Sequence, residues 1–435
     1  MAKKIYERLA AISYSRPSGT EEEKRAGEYL FKEIEGIGFK PVFEEFSYTR
    51  KVPADAYLAA VTEDGREVPF YVTGVIDSLD TPEEGLEAEF YYLRSFDDVS
   101  LTRIKGKVVL IHDRLSKDEY RKLRAAGIAG YVTTSGTVRD TYENSDLETA
   151  RFRDNLSDEG ALPAFTIRLI DAARLLRLKP KKVKIRLKLV EETVTSRNIV
   201  VTVPGKKIPE EIVVAGAHYD SVPFSLGSWD NGAGAVQIVA LLEHLKQNAP
   251  DRTVKAILFG SEETGLSGSR AYLEAHEDEA DSIKLMLNVD VGGSLLGKEI
   301  IFIGAVGETE GWVRAFLKET GYEAITFAKL MSSDCANFND YGIPSISIGE
   351  GAPRGGGYMH TRYDNMDLID EDVLEKEAGF LAKLADRVAN SVVIPIPKHI
   401  PENLRKDIIE YFGEKKSVIS KKPYVPEPKP VPFHF

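Results

Sequence analysis

The chain has 435 residues, enough for more than one domain, and 43% hydrophobic with 29% charged residues is the balance of a water-soluble globular protein. A formal net charge of -12 excludes the non-specific nucleic-acid affinity that rests on lysine and arginine against phosphate. Cys335 is the single cysteine, which excludes an intramolecular disulfide and a thiolate metal cluster, so any metal here must be held by imidazole and carboxylate.

The opening stretch MAKKIYERLAAISYS is amphipathic and lacks the apolar core of a secretion signal. No apolar run approaches the roughly 18 residues of a membrane span, and the expectation is a cytoplasmic protein without a membrane partner. SGTEEEKRAGEYLFKEIEGIGF predicts a helix capped by Ser18 or Thr20, acidic in its first turn and closed by Gly36 and Gly38. From about Val52 to Glu192 short β-like runs follow one another, among them KGKVVLI, GIAGYVTT and LPAFTI, with no ligand-like spacing.

From Ser196 onward the apolar runs NIVVTV, EIVVAGAH, VKAILFG, LMLNVDV, EIIFIG and SISIG alternate with helical segments at 232–247, 309–320 and 371–390. That alternation predicts an α/β fold with a doubly wound, mixed and mainly parallel sheet, whose functional groups gather at the carboxyl ends of the strands. After Ile394 a short helix is expected at 402–412, followed by the proline-rich KKPYVPEPKPVPFHF, which packs on a neighbouring element or stays mobile. The expected domains are therefore 1–51 and 193–394 as one folded body, 52–192 as an insert and 395–435 as a C-terminal extension. Two glutamines, Gln237 and Gln247, beside abundant Lys and Glu resemble the composition of heat-adapted, thermophile proteins.

The strand ends carry the chemistry. VVAGAHYDSVP ends a strand at His218, with Asp220 two residues on. Asp230 precedes a Gly-rich helix start in FSLGSWDNGAGA, ILFGSEE supplies Glu262 and Glu263, LMLNVDVGG supplies Asp290, and GGGYMHTRYD supplies His360. Singly, each has an ordinary structural reading: a packed histidine, a solvated acidic pair, an Asp-Asn-Gly turn. Adjacent carboxylates at the end of a buried strand, however, call for a neutralising cation. Two histidines and three carboxylates exceed what one catalytic zinc needs and suit a metal pair that shares one aspartate.

The order AHYDS, WDNGAGA, SEETGLSGS, NVDVGG and HTRYD, over about Ser196 to Asn390, resembles the co-catalytic di-zinc aminopeptidase family that includes the secreted bacterial leucyl aminopeptidases, aminopeptidase Y and glutamate carboxypeptidase. KGKVVLI, GIAGYVTT and LPAFTI are similar to the protease-associated domain inserted in aminopeptidase Y. The resemblance implies a zinc exopeptidase fold with a β-rich α/β insert, two Zn2+ ions replaceable in vitro by Co2+ or Mn2+, and peptides as substrates. It further implies that His218 and Asp290 bind one zinc, that Glu263 and His360 bind the other, that Asp230 bridges them, and that Glu262 is the general base. Asp220 and Asp364 would then support the imidazoles of His218 and His360. The family's oxyanion tyrosine directly before the last histidine is replaced by Met359, with Tyr358 one residue further back as the candidate oxyanion donor, and Arg354, close in sequence to His360, is either a ligand for a terminal carboxylate or a solvent-exposed charge of a Gly-rich loop.

Competing expectations are a carboxypeptidase or dipeptidase of the same fold, a one-zinc glutaminyl cyclase, which retention of the full ligand set opposes, and a non-catalytic receptor or scaffold such as the transferrin receptor ectodomain. The di-zinc carboxypeptidases and acylaminoacid deacylases that insert a dimerisation domain after the glutamates are opposed by the short interval between Glu263 and His360. Side-chain preference and oligomeric state are open at this level.

Overall fold

The computed structural model describes residues 4–112, 115–137, 139–352 and 359–426. They divide into two compact units. The first runs through Ser47, resumes at Thr195–Glu410 and continues from Ser417; the second holds Tyr48–Val194 and Tyr411–Lys416.

In the first unit the strands lie in the order Ile325–Phe327, Lys298–Gly304, Ser345–Gly351, Ile283–Val289, Ile208–His218, Arg252–Phe259 and the end of Lys182–Val203. The central neighbours pair in parallel, while Lys298–Gly304 against Ser345–Gly351 and Arg252–Phe259 against Lys182–Val203 are antiparallel. Side chains of successive strand residues point to opposite faces, so a strand apolar on every residue must be covered twice. Along Ile208–His218, Val213, Ala215 and Ala217 enter one core with the helices Ile5–Ile12, Glu21–Ile37, Ala233–Gln247 and Glu371–Ala389, whereas Ile212 and Val214 enter another with Ser267–Ala275 and Cys335–Asp340. This is the doubly wound sheet expected from the alternation of runs.

The helix Glu21–Ile37 starts where Thr20 Oγ1 accepts the Glu23 amide and ends at Gly38, whose φ of 95° only glycine adopts without strain. Gly36, expected to help close it, lies inside its last turn. The short helices Ser267–Ala275 and Cys335–Asp340, not among the segments expected to be helical, pack against the sheet through Tyr272, Leu273, Cys335 and Phe338.

In the second unit Leu86–Tyr92, Val108–Leu110, Gly130–Ser135 and Ala164–Arg168 form a parallel run, with Val72–Gly74 antiparallel at its end. The helix Lys117–Ala126 begins with a reciprocal cap between Ser116 and Glu119, and Leu169–Leu178 follows the last parallel strand.

The segment after Ile394 forms the expected helix Glu402–Phe412, and its continuation is tied down. Buried Asp340 accepts hydrogen bonds from Ser417 Oγ at 2.6 Å, Val418 N at 2.9 Å and Ile419 N at 3.1 Å. Among the described residues, no helix is long and apolar enough to cross a membrane.

Candidate metal centre

The five ligand-type side chains come from separate strand ends and loops of the first unit and converge. His218 closes the strand Ile208–His218, and its Nε2 lies 3.3 Å from Asp230 Oδ1 and 3.4 Å from Asp290 Oδ1. His360 Nε2 lies 3.3 Å from the other Asp230 oxygen, Oδ2, and 3.1 Å from Glu263 Oε2. Asp230 therefore faces one imidazole with each oxygen. Glu262 joins His218 and Asp290 in one cluster, and Glu263 joins Asp230 and His360 in the other, each with ligand atoms within 4.8 Å.

The local backbone is bent to aim these groups. Ser261, just before Glu262, has φ 56°; Val291, just after Asp290, has φ 71°; His360 itself has φ 59°. Left-handed conformations are uncommon for non-glycine residues, and for β-branched Val291 they are strained, so the surrounding contacts must hold them. Asn231 is one such contact: its Oδ1 accepts the amides of Gly234 and Val291, and its Nδ2 donates to Val289 O at 2.8 Å. It links the turn carrying Asp230 to the strand end carrying Asp290. Gly260 leaves space for close packing, since a Cβ there would meet Ser196 Oγ at 2.4 Å and Arg197 O at 2.8 Å.

Supporting carboxylates surround the ligands. Asp220 accepts the amides of Glu262 and Glu263 at 3.0 and 3.2 Å and the hydroxyl of Ser18 at 2.7 Å, and its Oδ1 stands 3.4 Å from His218 Nδ1. Asp364, expected beside the imidazole of His360, reaches the amides of Trp229 at 2.7 Å and Asp230 at 3.1 Å. Its contribution to the centre runs through the turn that carries Asp230. Arg354 and Tyr358 lie outside the described residues.

Residues that motif reading passed over also close the site. Glu23 accepts Ser261 N and the Ser196 hydroxyl, and burial pushes its carboxyl up to about 8. The Arg16 guanidinium is buried, with Asp364 and Asp220 acting on it; it donates to the carbonyls of Ile12, Tyr14, Tyr219, Leu226 and Gly227, clamping the loop between His218 and Asp230. Asp334 is fully buried, and neither of its oxygens makes a hydrogen bond of ordinary geometry among the described residues. Burial pushes it up to about 7 against the pull of His218. Its signal in the sequence, SSDCANF at a strand-to-helix passage, drew attention to the cysteine instead.

The charge balance is acidic. Burial raises the Glu262 carboxyl well above the usual range, opposed by His218 and reinforced by Glu263, Asp290 and Asp334. Burial acts the same way on Asp230, but hydrogen bonds from His218 and His360 outweigh it and hold that carboxyl below its ordinary value. Donor atoms bound to a common tetrahedral zinc at roughly 2.0–2.1 Å stand about 3.3 Å apart. The 3.1–3.4 Å spacings on both sides of Asp230 fit that arrangement. So do the buried Asp290 Oδ1 and Glu263 Oε1, which accept no hydrogen bond among the described residues.

Residues 198–385 match the profile of peptidase family M28. The chain is 27% identical to aminopeptidase YwaD of Bacillus subtilis (strain 168), over 88% of this chain and 84% of that protein. It is 26% identical to carboxypeptidase Q of Xenopus laevis, over 84% of this chain and 81% of that one. The solved structure of BSAP, a zinc aminopeptidase from Bacillus subtilis, superposes with a TM-score of 0.71 at 23% identity, covering 93% of this chain and 98% of that one, which shows a common fold.

Proposed function

We propose, for a chain whose residues 198–385 are a peptidase family M28 domain, that one buried aspartate bridges two zinc ions in an exopeptidase that removes residues from the free N-terminus of peptides. The chain is a metallopeptidase by its family. The observation that carries the two-ion reading is Asp230, whose two oxygens each lie 3.3 Å from a different imidazole. His218 and Asp290 would hold one ion, Glu263 and His360 the other.

When bound, the zinc pair lowers the pKa of water and polarises the scissile carbonyl. The rest falls to the protein's own groups. The Glu262 carboxylate accepts the proton of the attacking water and returns it to the leaving amine nitrogen. Asp220, through the amides of Glu262 and Glu263, keeps the proton acceptor and its neighbouring ligand in fixed relation. Asp364 does the same for the Asp230 turn. Residues 52–192 are read as a protease-associated-like insert that governs substrate access and supplies no catalytic group.

Likeness to carboxypeptidase Q as well as to an aminopeptidase keeps a second end preference in play. Unblocked and N-acetylated peptides of the same sequence separate the two. Release of the first residue from the unblocked set alone supports the aminopeptidase, and trimming of the acetylated set from its carboxyl end supports the carboxypeptidase. Chelation should abolish either activity, and zinc, with Co2+ or Mn2+ as substitutes, should restore it.

A further inference from the structure

Away from these ligands, on neighbouring strands of the same sheet, lies a second group of carboxylates, one buried and two half-buried. Glu299 on Lys298–Gly304 and Glu350 on Ser345–Gly351 are direct antiparallel partners, and Glu377 comes from the helix Glu371–Ala389 that covers them. Oxygens of all three lie within 4.8 Å of one another. Like charges directly opposite on neighbouring strands destabilise a sheet, and a third carboxylate from the covering helix compounds the cost.

We propose that Glu299, Glu350 and Glu377 form a further metal site, specific for a hard divalent cation of the Ca2+ type, which braces the peptidase centre. Two other side chains, each more than nine-tenths buried, reach this cluster and leave a polar atom without an ordinary hydrogen bond. Gln237, 1% exposed, brings its amide to the cluster: Nε2 donates to Glu377 Oε2 at 2.6 Å, and Oε1 accepts no hydrogen bond among the described residues. Tyr322, 6% exposed, turns its hydroxyl towards the same three glutamates and interacts with Glu299 in a geometry looser than an ordinary hydrogen bond. Glu299 Oε2 is likewise buried and makes no hydrogen bond of ordinary geometry among the described residues, the Tyr322 hydroxyl being the group that acts on this carboxyl.

The donor set is oxygen throughout, without imidazole or thiolate, which selects calcium-like over zinc-like ions. Burial raises all three carboxyls, Glu350 to about 7, so without a counter-ion they share protons near neutrality. Lys376 acts on Glu299, yet a single ammonium cannot balance three carboxylates.

The same carboxylates grip the backbone of the peptidase centre. Glu350 Oε2 accepts Trp229 Nε1 at 2.9 Å and Ser294 N at 2.8 Å, and Glu377 Oε1 accepts Gly293 N at 3.1 Å. Trp229 adjoins Asp230, and Gly293 and Ser294 follow Asp290 in the same loop. A cation held by the glutamates therefore fixes the approach to both of these residues.

The test uses the full chain loaded with zinc and stripped of other ions, its zinc content measured in the same sample. A failure at the glutamates is thus distinct from a failure of the zinc reading, on which this site does not depend. Ca2+ is added alone and followed by calorimetry, with Tb3+ as a luminescent substitute excited through tryptophan. The expected result is uptake of one Ca2+ per chain beyond the zinc, tryptophan-sensitised Tb3+ emission that Ca2+ displaces, and a thermal midpoint raised by several degrees. The variant E299Q/E377Q should lose all three responses while keeping its zinc. Wild-type protein that carries zinc but takes up no Ca2+ overturns the proposal without need of the variant, as does equal uptake by E299Q/E377Q.

Discussion

The amide of Glu262 donates to Asp220 Oδ1 at 3.0 Å, so a carboxylate two residues beyond one candidate metal ligand holds the candidate general base from below. Asp220 also accepts from the Glu263 amide, and an aspartate can receive both N–H groups because every lone pair is an acceptor. In Asp220→Asn one acceptor becomes an NH2 donor that faces a donor. Activity is expected to fall by roughly 10–100-fold, the usual cost of losing a partner behind a metal ligand. Steady-state kinetics with zinc content measured in parallel checks it, and an unimpaired enzyme would contradict the positioning role.

The adjacent glutamates should separate cleanly. Glu262→Gln keeps shape but cannot accept the water proton, and turnover should drop by about a hundredfold or more with both zinc ions retained. Glu263→Gln exchanges an anionic ligand for a neutral one, so zinc is lost and activity returns in part at high zinc. Loss of metal from the first variant and its retention in the second would mean that the two roles are reversed.

Arg16 is expected to matter for stability as much as any core residue. Its replacement by Met nearly keeps the volume and strands five carbonyl groups, three of them in fully buried bonds, that now receive its N–H groups. The loss should be on the order of 3–5 kcal/mol. Urea unfolding of the zinc-loaded protein measures it; a change below about 1 kcal/mol would show that water replaces the guanidinium without cost.

Glu350 gives a pH dependence with a defined sign. In the unfolded chain its carboxyl ionises near 4.5, whereas the folded protein, without Ca2+, holds the proton to about 7. The folded state then binds more protons across that window, and its stability falls as pH rises through it. Thermal midpoints of the Ca2+-free protein should decline from pH 5 to 7.5 more steeply than those of E299Q/E377Q, and equal slopes would remove the cluster as the cause.

Asp340 should prove to be the anchor of the C-terminal segment. Asp340→Ala removes the acceptor for Ser417, Val418 and Ile419 together. A loss of roughly 1–3 kcal/mol is expected, with faster hydrogen exchange confined to the residues after 416. Unchanged protection there would assign the anchoring to the helix Glu402–Phe412.

The sequence by itself determined the sheet and the chemistry of its edge. Stretches such as IVVAGA and LML are apolar on successive residues, which only a strand covered on both faces satisfies, and polar groups placed at the ends of such strands emerge at the carboxyl edge. His218, Glu262, Glu263 and Asp290 were legible as candidates for that reason, and Asp230 and His360 from the Gly-rich segments that carry them. Tertiary structure alone decided which imidazole faces which oxygen of Asp230, that Asp364 serves the Asp230 turn, and that Arg16, Glu23 and Asn231 close the site. It also decided that Glu299, Glu350 and Glu377 meet, because each sits in an unremarkable local context and only the strand register and the covering helix bring them together. Periodicity records which face of an element is buried; a charge placed among other charges is a property of the packing between elements, and no local stretch of sequence carries it.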